Sequence, residues 1–343
     1  MLTTPFRRGP RRRPVALLGA ALLLATLAPA RVALAQADSV AVDGVTGDST
    51  RHCGRCLNGH RFLFTSLVPD PFVTTHFRTG TGGGTVTNLT VEVRNLEGTV
   101  LDSIAADIGF FTLDFEYQYR VTRWLGLHAT ATTLARIGTS GASVLASGVS
   151  ALYGTSLGAT VRVWGSDAVQ LSLTGDARRN QVWVIDPYRF AQSVSQGDDF
   201  ETSRSILLRA QTSNRYVGGA RGAWAPTSWL GFNGTFEAGS GEIPTPNGGW
   251  ESVAEWGLMA SFDANPLWRV PVGLWTGYRG QSGSGRVSDL SGSLSTYGGG
   301  LLYTGRPNYL IGVDVLFGKA DVNEASLTRV DLVQGRIVTR FDF

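Results

Sequence analysis

The chain ends in Leu327–Phe343, LTRVDLVQGRIVTRFDF, a stretch in which apolar and polar residues alternate. One side of the alternation carries Val333, Gly335, Ile337, Thr339, Phe341 and Phe343, and the other carries Gln334, Arg336, Val338, Arg340 and Asp342. Because successive side chains of a β-strand point to opposite faces, this period of two predicts a strand with one apolar face. A helix would leave no clean apolar stripe here, since it would place Arg336 and Arg340 beside Val333 and Phe343.

The N-terminus has the pattern of a secretory signal peptide. Five arginines between Arg7 and Arg13 precede an apolar run from Val15 to Leu27, and Ala33-Leu34-Ala35 follows as a small-residue cleavage site. The apolar run is shorter than the roughly 20 residues that a transmembrane helix needs. The pattern therefore predicts export and cleavage after about Ala35.

The basic character of the full chain comes from this leader. Residues 1–35 hold 6 of the 30 basic residues and none of the 27 acidic ones, which leaves 24 basic and 27 acidic residues, a net charge of −3 with neutral His. The positive charge of the precursor is thus no argument for nucleic-acid binding, and the sequence predicts no nucleic-acid partner.

From Thr85 onward the alternation recurs in about twelve segments. In residues 108–121 it is clearest: Phe111, Leu113, Phe115, Tyr117 and Tyr119 oppose Thr112, Asp114, Glu116, Gln118 and Arg120. Two kinds of connection alternate along the chain. One kind is short and flanked by Trp or Tyr, as at 120–124 and 224–229, and the other is long and polar, as at 179–205. An exported soluble sandwich would show the same alternation with the faces exchanged. Aromatic residues at the short turns and the unequal connections favour a closed transmembrane barrel.

The final strand, which ends on Phe343, resembles that of bacterial outer-membrane β-barrel proteins, whose last strand typically closes with Phe and serves as the assembly signal. The resemblance is to the class and implies an all-β fold, a transmembrane antiparallel barrel with an irregular N-terminal segment. It also implies a place in the bacterial outer membrane, contact with its lipid, and recognition of the C-terminal strand by the barrel-assembly machinery. Three parts are expected: a signal peptide (1–35), an irregular segment (36–84) and the barrel (85–343).

The irregular segment contains the only two cysteines, Cys53 and Cys56. In an oxidising periplasm the spacing is typical of a local disulfide. Metal ligation with His52 or His60 and a redox-active pair remain alternatives. Haem attachment is excluded because Leu57 stands where a His is required.

The remainder of the segment is rich in residues that break regular structure. Pro69, Pro71, Gly80 and 82–84 predict extended, irregular chain. We expect it either to stay in the periplasm or to fold into the barrel lumen as a plug.

The interior face suggests the chemistry of the lumen. Twelve strands lie between the eight of a filled barrel and the roughly sixteen of a water-filled channel. Candidate lumen-lining residues are Asp114, Glu116, Arg209, Arg215, Arg221, Arg336 and Arg340. A ring of Arg would favour anions. Alternatively the arginines pair with lumen acids, namely Asp114, Glu116, Glu237, Glu255 and Asp314.

The sequence thus predicts a narrow channel or transporter for a small solute of unknown identity, with no cofactor, no metal and no catalytic residues. The first alternative is a non-conducting structural or binding barrel plugged by its N-terminal segment. The second is a lipid-active enzyme that uses His128, the only histidine in a predicted strand, which is otherwise a polar lumen residue. The loop at 179–205, with Trp183, Tyr188, Phe190, Asp198, Asp199 and Glu201, is a candidate constriction or outer binding element.

Overall fold

The computed structural model describes residues 54–94, 100–139, 149–185, 193–197, 208–242, 249–282, 294–322 and 328–343. The chain divides into two units, Met1–Arg51 and His52–Phe343, and every described residue belongs to the second. Within these ranges twelve antiparallel strands form a closed barrel, and two short strands precede it. The short strands are β1 (Cys56–Leu57) and β2 (His60–Arg61).

The barrel strands follow in chain order. They are β3 (His76–Arg94), β4 (Val100–Arg120), β5 (Leu125–Gly138), β6 (Val149–Gly165), β7 (Val169–Ile185), β8 (Leu208–Trp224), β9 (Leu230–Glu242), β10 (Trp250–Asp263), β11 (Val272–Ser282), β12 (Leu294–Arg306), β13 (Tyr309–Val322) and β14 (Thr328–Asp342). Each strand pairs with its neighbours in sequence. The predicted all-β barrel of twelve strands is confirmed.

The first and last barrel strands close the ring. β14 pairs with β3 without interruption from Asp331 opposite Thr87 to Asp342 opposite His76. Beyond the pair, the Phe343 backbone N–H donates to the Thr75 carbonyl at 2.9 Å. A closed ring leaves no unpaired strand edge, which a hydrocarbon environment requires.

The C-terminal strand has the predicted orientation. Ile337 and Phe341 are 54% and 40% exposed on the outside, whereas Val338 and Arg340 are both 2% exposed on the inside. On the outer surface at the short-turn end stand exposed tryptophans, namely Trp124, Trp164, Trp224 and Trp268. Such side chains suit a membrane–water boundary because they have an apolar body and a polar tip.

The two ends of the barrel differ as predicted. Short turns at one end occupy 121–124, 166–168, 225–229 and 307–308, and the connection after β10 contains a single helical turn, Asn265–Trp268. Most connections at the other end are longer, up to residues 186–207, whereas 95–99 and 323–327 have five residues each. No helix in the described ranges is long and apolar enough to cross a membrane.

Two boundaries differ from the sequence prediction. β3 begins at His76, not at 85, and runs through the glycine cluster. A Cβ on Gly82 would lie 2.2 Å from the Gly335 carbonyl oxygen, so the cluster permits close approach of β14 and does not mark a loop. β7 continues to Ile185 and includes Trp183, which shortens the predicted 179–205 loop. Tyr188, Phe190, Asp198, Asp199 and Glu201 lie outside the described residues.

Candidate functional site: a plug and a charged cavity in the lumen

Residues 54–75, called the plug below, lie inside the barrel at its short-turn end. Near the start, the Asn58 backbone N–H donates to the Asp167 carbonyl at 2.6 Å, and the Arg61 guanidinium donates to the Thr304 and Pro307 carbonyls. At the far end of the plug, Gln118 donates to the Phe72 and Thr74 carbonyls. The chain therefore enters the lumen beside the short turns and returns there before β3.

Local sequence explains the path of the plug. β1 and β2 form a hairpin in which Leu57 pairs with His60, and the two intervening residues, Asn58 and Gly59, have φ of 48° and 77°. Asn-Gly is the pair that favours such a two-residue turn. The Asp70 carboxylate then accepts from the Phe72 backbone N–H at 3.2 Å, which turns the chain between the two prolines.

An apolar cluster holds the plug against one side of the lumen. The plug contributes Leu63, Phe64, Leu67 and Val68, and the inward faces of β10–β14 contribute Met259, Trp275, Leu302, Leu310, Leu316 and Val338. All are buried. Burying a large aliphatic or aromatic side chain stabilises a fold by about 1.5–3 kcal/mol, so this part of the lumen is packed as a protein core.

Asp70 is the polar centre of the plug. Its carboxylate lies 2.6 Å from Arg55 of the plug and 3.1 Å from Arg340 of β14. Arg340 also donates to Thr74 at 2.9 Å and pairs with Asp342 at 2.8 Å. Burial would raise the pKa of Asp70, but Arg55 and Arg340 outweigh it and lower that pKa to about 2. The carboxylate is therefore ionised at neutral pH, and it ties the plug to the last strand.

A second charged group, called the upper network below, extends from His128, which pairs with Gln118 near the short turns, toward the long connections. Its members are His128, Asp176, Arg178, Arg215, Arg221, Glu237, Glu255 and Arg279, on strands β5 to β11. Glu255 accepts from Arg178 at 3.1 Å and from Arg215 and Arg279 at 2.5 Å each. Glu237 pairs with Arg178 and, at 2.8 Å, with Arg221.

A polar cavity separates the upper network from the plug. Its volume is about 320 Å³, and its lining includes Phe64 and Asp70 of the plug, Glu116, Thr132, Asn180 and Arg279. The plug thus forms the floor of a water-accessible space whose walls carry hydroxyl, amide and charged groups. Such a space can hold a small polar molecule.

No family model matches the chain, and no curated protein matches it in sequence. Three solved structures share the barrel. The translocator domain of autotransporter NalP from Neisseria meningitidis is 12% identical with a TM-score of 0.44, over 79% of this chain and 89% of that chain. The Ralstonia pickettii toluene transporter TbuX is 13% identical with a TM-score of 0.40, over 85% and 97%. The β domain of the Bordetella autotransporter BrkA is 10% identical with a TM-score of 0.45, over 79% and 100%.

The chain forms a closed antiparallel β-barrel of twelve strands among its described residues, the fold of these outer-membrane proteins. A closed ring of strands with apolar side chains outside and charged ones inside has a surface that only lipid can cover. The apolar outer rows suit a lipid bilayer, in agreement with the outer-membrane location that the sequence predicts.

Within the outer-membrane barrel, most of the predicted lumen residues are in ion pairs. Asp114 pairs with Arg336, and Glu116 pairs with Arg78 at 2.7 Å and hydrogen-bonds His76 at 3.0 Å. Arg215, Arg221 and Arg340 pair with the acids given above. Arg209 belongs to β8, but its side chain lies outside the described residues. Asp314 accepts from the Trp275 indole N–H at 3.0 Å.

Sequence reasoning missed several members of this interior, among them Arg178, Arg55 and Asp70. Arg178 directly precedes the loop predicted at 179–205 and was not among the candidate lumen residues, although it shares the inward face with Asp176. Arg55 and Asp70 lie in the segment that the prolines marked as irregular. A continued two-residue count from Asp176 would have found Arg178, whereas no local signal joins Arg55 to Asp70.

The histidines and cysteines have defined surroundings. His128 Nε2 lies 2.6 Å from Asp176 Oδ1 inside the lumen, and His60 Nε2 lies 2.8 Å from Ser261 Oγ. Cys56 is disulfide-bonded. Cys53, the other cysteine of the chain, and His52 lie outside the described residues. Among the residues that the structure describes, no three His, Cys, Asp or Glu side chains are grouped to hold a metal ion.

Proposed function

We propose that this barrel transports small polar solutes and that the plug closes its passage. The observation that carries the proposal is the polar cavity of about 320 Å³ that ends on the plug. A barrel with a purely structural role has no need of a hydrated, charge-lined space on one side of a removable segment. The plug precedes β3 in the chain, and its two short strands are not part of the closed barrel. It can therefore leave the lumen without breaking any pairing between barrel strands.

The polar contacts of the plug support reversible closure. Asp70 joins Arg55 and Arg340 by ion pairs, and Pro71 is held by hydrogen bonds from Gln170 and Ser172 at 2.7 and 2.6 Å. Water and counterions can replace such contacts when the plug moves. Opening would connect the cavity with the short-turn end of the barrel.

The second candidate function, a non-conducting barrel with a permanent plug, is favoured by the apolar cluster. Leu63, Phe64 and Val68 are each exposed by 2% or less. Moving them into water costs roughly 25 cal/mol per Å² of apolar surface. A plug that never leaves would make the barrel a membrane anchor or binding protein.

Conductance across a planar bilayer separates the two. The variant V68C/G257C places two thiols where the Val68 side chain meets the inward side of Gly257, since a Cβ on Gly257 would lie 2.9 Å from Val68 Cγ2. We expect the oxidised variant to stay closed at every voltage, and the reduced variant to show the opening events of the wild type. The wild type under the same reductant controls for the native cysteines. Absence of current in wild type, reduced variant and a plug-deleted chain (Δ36–75) that still forms a barrel would establish the non-conducting function.

We propose no catalytic role for His128. Its imidazole is bound to Asp176, which also faces Arg178 and Arg221 at 3.6 and 3.5 Å, so the ring is part of the charged interior. Assembly through the C-terminal strand is likewise proposed, because Phe343, which directly follows β14, is 80% exposed.

A further inference from the structure

The upper network contains more positive than negative groups. Three carboxylates, of Asp176, Glu237 and Glu255, are shared by four guanidinium groups, of Arg178, Arg215, Arg221 and Arg279. Glu255 alone binds three of them. Pairing therefore satisfies these three acids and leaves one positive charge in excess among these seven described side chains.

The two signs are also unequally exposed. The carboxylate side chains of Asp176, Glu237 and Glu255 are 3%, 3% and 5% exposed. The side chains of Arg178 and Arg279 are 22% and 33% exposed. The acids thus lie behind the arginines, and a solute in the cavity meets guanidinium groups first.

The lower wall of the cavity has no such bias. Arg78 and Glu116 pair at 2.7 Å and are 22% and 21% exposed, so they offer the cavity one charge of each sign. Hydroxyl groups also line the cavity, among them Thr130 and Ser156, which hydrogen-bond each other at 2.7 Å; Ser156 pairs with Arg178 across neighbouring strands. The positive face is therefore confined to the upper wall.

We infer that this wall is a binding site for small anions, namely carboxylates or phosphates, with Arg279 and Arg178 as the groups that contact them. The inference rests on the proposed transport function and assigns its substrate class. Guanidinium groups bind carboxylate and phosphate oxygens through paired N–H donors in a planar fork. In the ion pair with Glu255, Arg279 uses Nη2, so the fork of this exposed side chain has donors left for a solute.

Equilibrium binding to the refolded full-length chain in detergent tests the inference. The probes are three five-carbon molecules of equal length: glutarate, which is a dianion, glutaramide, which is neutral, and 1,5-diaminopentane, which is a dication. At low salt and pH 7 we expect glutarate to bind at least tenfold more tightly than glutaramide, and the diamine to bind no better than glutaramide. The preference for glutarate should shrink several-fold at high salt, because screening acts on the charge.

Arg279→Gln is the diagnostic variant, because Glu255 keeps Arg178 and Arg215 and the network stays neutralised. We expect it to lower glutarate affinity at least tenfold and to leave glutaramide unchanged. Arg120→Gln, which removes the same charge from the exposed short-turn rim, is the matched control and should change neither. Arg279→Lys keeps the charge but lacks the planar fork, so its glutarate affinity should lie between those of the wild type and Arg279→Gln. It replaces Arg279→Gln as the test if that variant does not fold.

Two outcomes would overturn the inference: equal affinity for glutarate and glutaramide, or an equal loss in the Arg279 and Arg120 variants. Neither depends on current through the barrel, because binding is measured without a membrane. A barrel that prefers glutarate but never conducts would refute the transport proposal and leave the anion site. A barrel that conducts but shows no preference for glutarate would refute the anion site and leave the transport proposal.

Discussion

Two levels of the same lumen differ in character, although the same strands build both. On β10, Met259 belongs to the apolar cluster, and Glu255, four residues nearer the long connections, belongs to the upper network. On β11, Trp275 and Arg279 stand in the same relation. The lower level is covered by the plug and the upper level faces the cavity.

The difference shows that the interior of this barrel is two environments. Where residues 54–75 supply apolar side chains, the inward positions of the strands are apolar too, and the lumen is packed as a core. Where none of the described residues fills the lumen, the inward positions carry charge and line the cavity. The lower level holds the plug, and the upper level lines the cavity to which we assign solute binding.

Among changes in the lower level, loss of the Asp70 charge should destabilise the plug most. Asp70→Asn leaves Arg55 and Arg340 facing each other in a buried site, and loss of one partner of a buried pair costs about 3–5 kcal/mol. We expect the plug to become sensitive to trypsin and the barrel to conduct more often. Asp107→Asn, at an exposed position, is the control and should alter neither.

A smaller loss is expected from the apolar cluster. Leu63 is fully buried, so Leu63→Ala should cost about 2–5 kcal/mol by leaving a cavity. The free energy of unfolding in denaturant measures it. Leu258→Ala removes the same atoms from the lipid side, where Leu258 is 69% exposed, and should cost far less. Equal losses would show that the lower level is not packed as a core.

The pH dependence of plug stability should have two windows. Burial lowers the pKa of His60 to about 4, so stability is lost as pH falls from the unfolded value near 6.5 toward 4. The pKa of Asp70 is lowered to about 2 in spite of burial, so a second loss occurs between about pH 4 and 2. Trypsin sensitivity after pH jumps reports both. His60→Asn should remove only the loss of stability between about pH 6.5 and 4, and Asp70→Asn only the loss between about pH 4 and 2. The assignment would be contradicted if either loss persisted in the variant that lacks its titrating group.

The smallest effect is expected at the turn of the plug. Asn58 donates through its side chain to the Ala225 and Pro226 carbonyls at 3.3 and 3.1 Å. Asn58→Gly keeps the backbone geometry and loses these bonds, which should cost about 1 kcal/mol. Asn58→Ala should cost more because φ is positive there. Hydrogen exchange at residues 56–61 measures the difference, and identical exchange in the two variants would show that the turn is not strained.

The barrel was predictable because its physics is local. Alternation along each strand determines which side chains face lipid, and the C-terminal residues Ile337 and Phe341 lie as their spacing predicted. The start of β3 was predicted too late because the glycine cluster at 82–84 was interpreted as loop. These glycines instead allow a distant strand to approach closely, since Gly82 leaves room for the backbone of Gly335. The end of β7 was placed too early for a similar reason. Residues 178–185 are strand because they continue to pair with β8, as Arg178 does with Arg215 and Trp183 with Ala210.

By itself, the sequence determined the all-β class, the strand number, the lipid-facing rows and the two unequal ends of this protein, because side-chain alternation and turn residues act within a few residues of chain. Only the tertiary structure decided that residues 54–75 lie in the lumen, that Asp70 meets Arg340 from 270 positions away, and that the arginines stand in front of their acids. Those features arise from ring closure, which brings distant strands to one axis, and no local pattern records which inward side chains meet there.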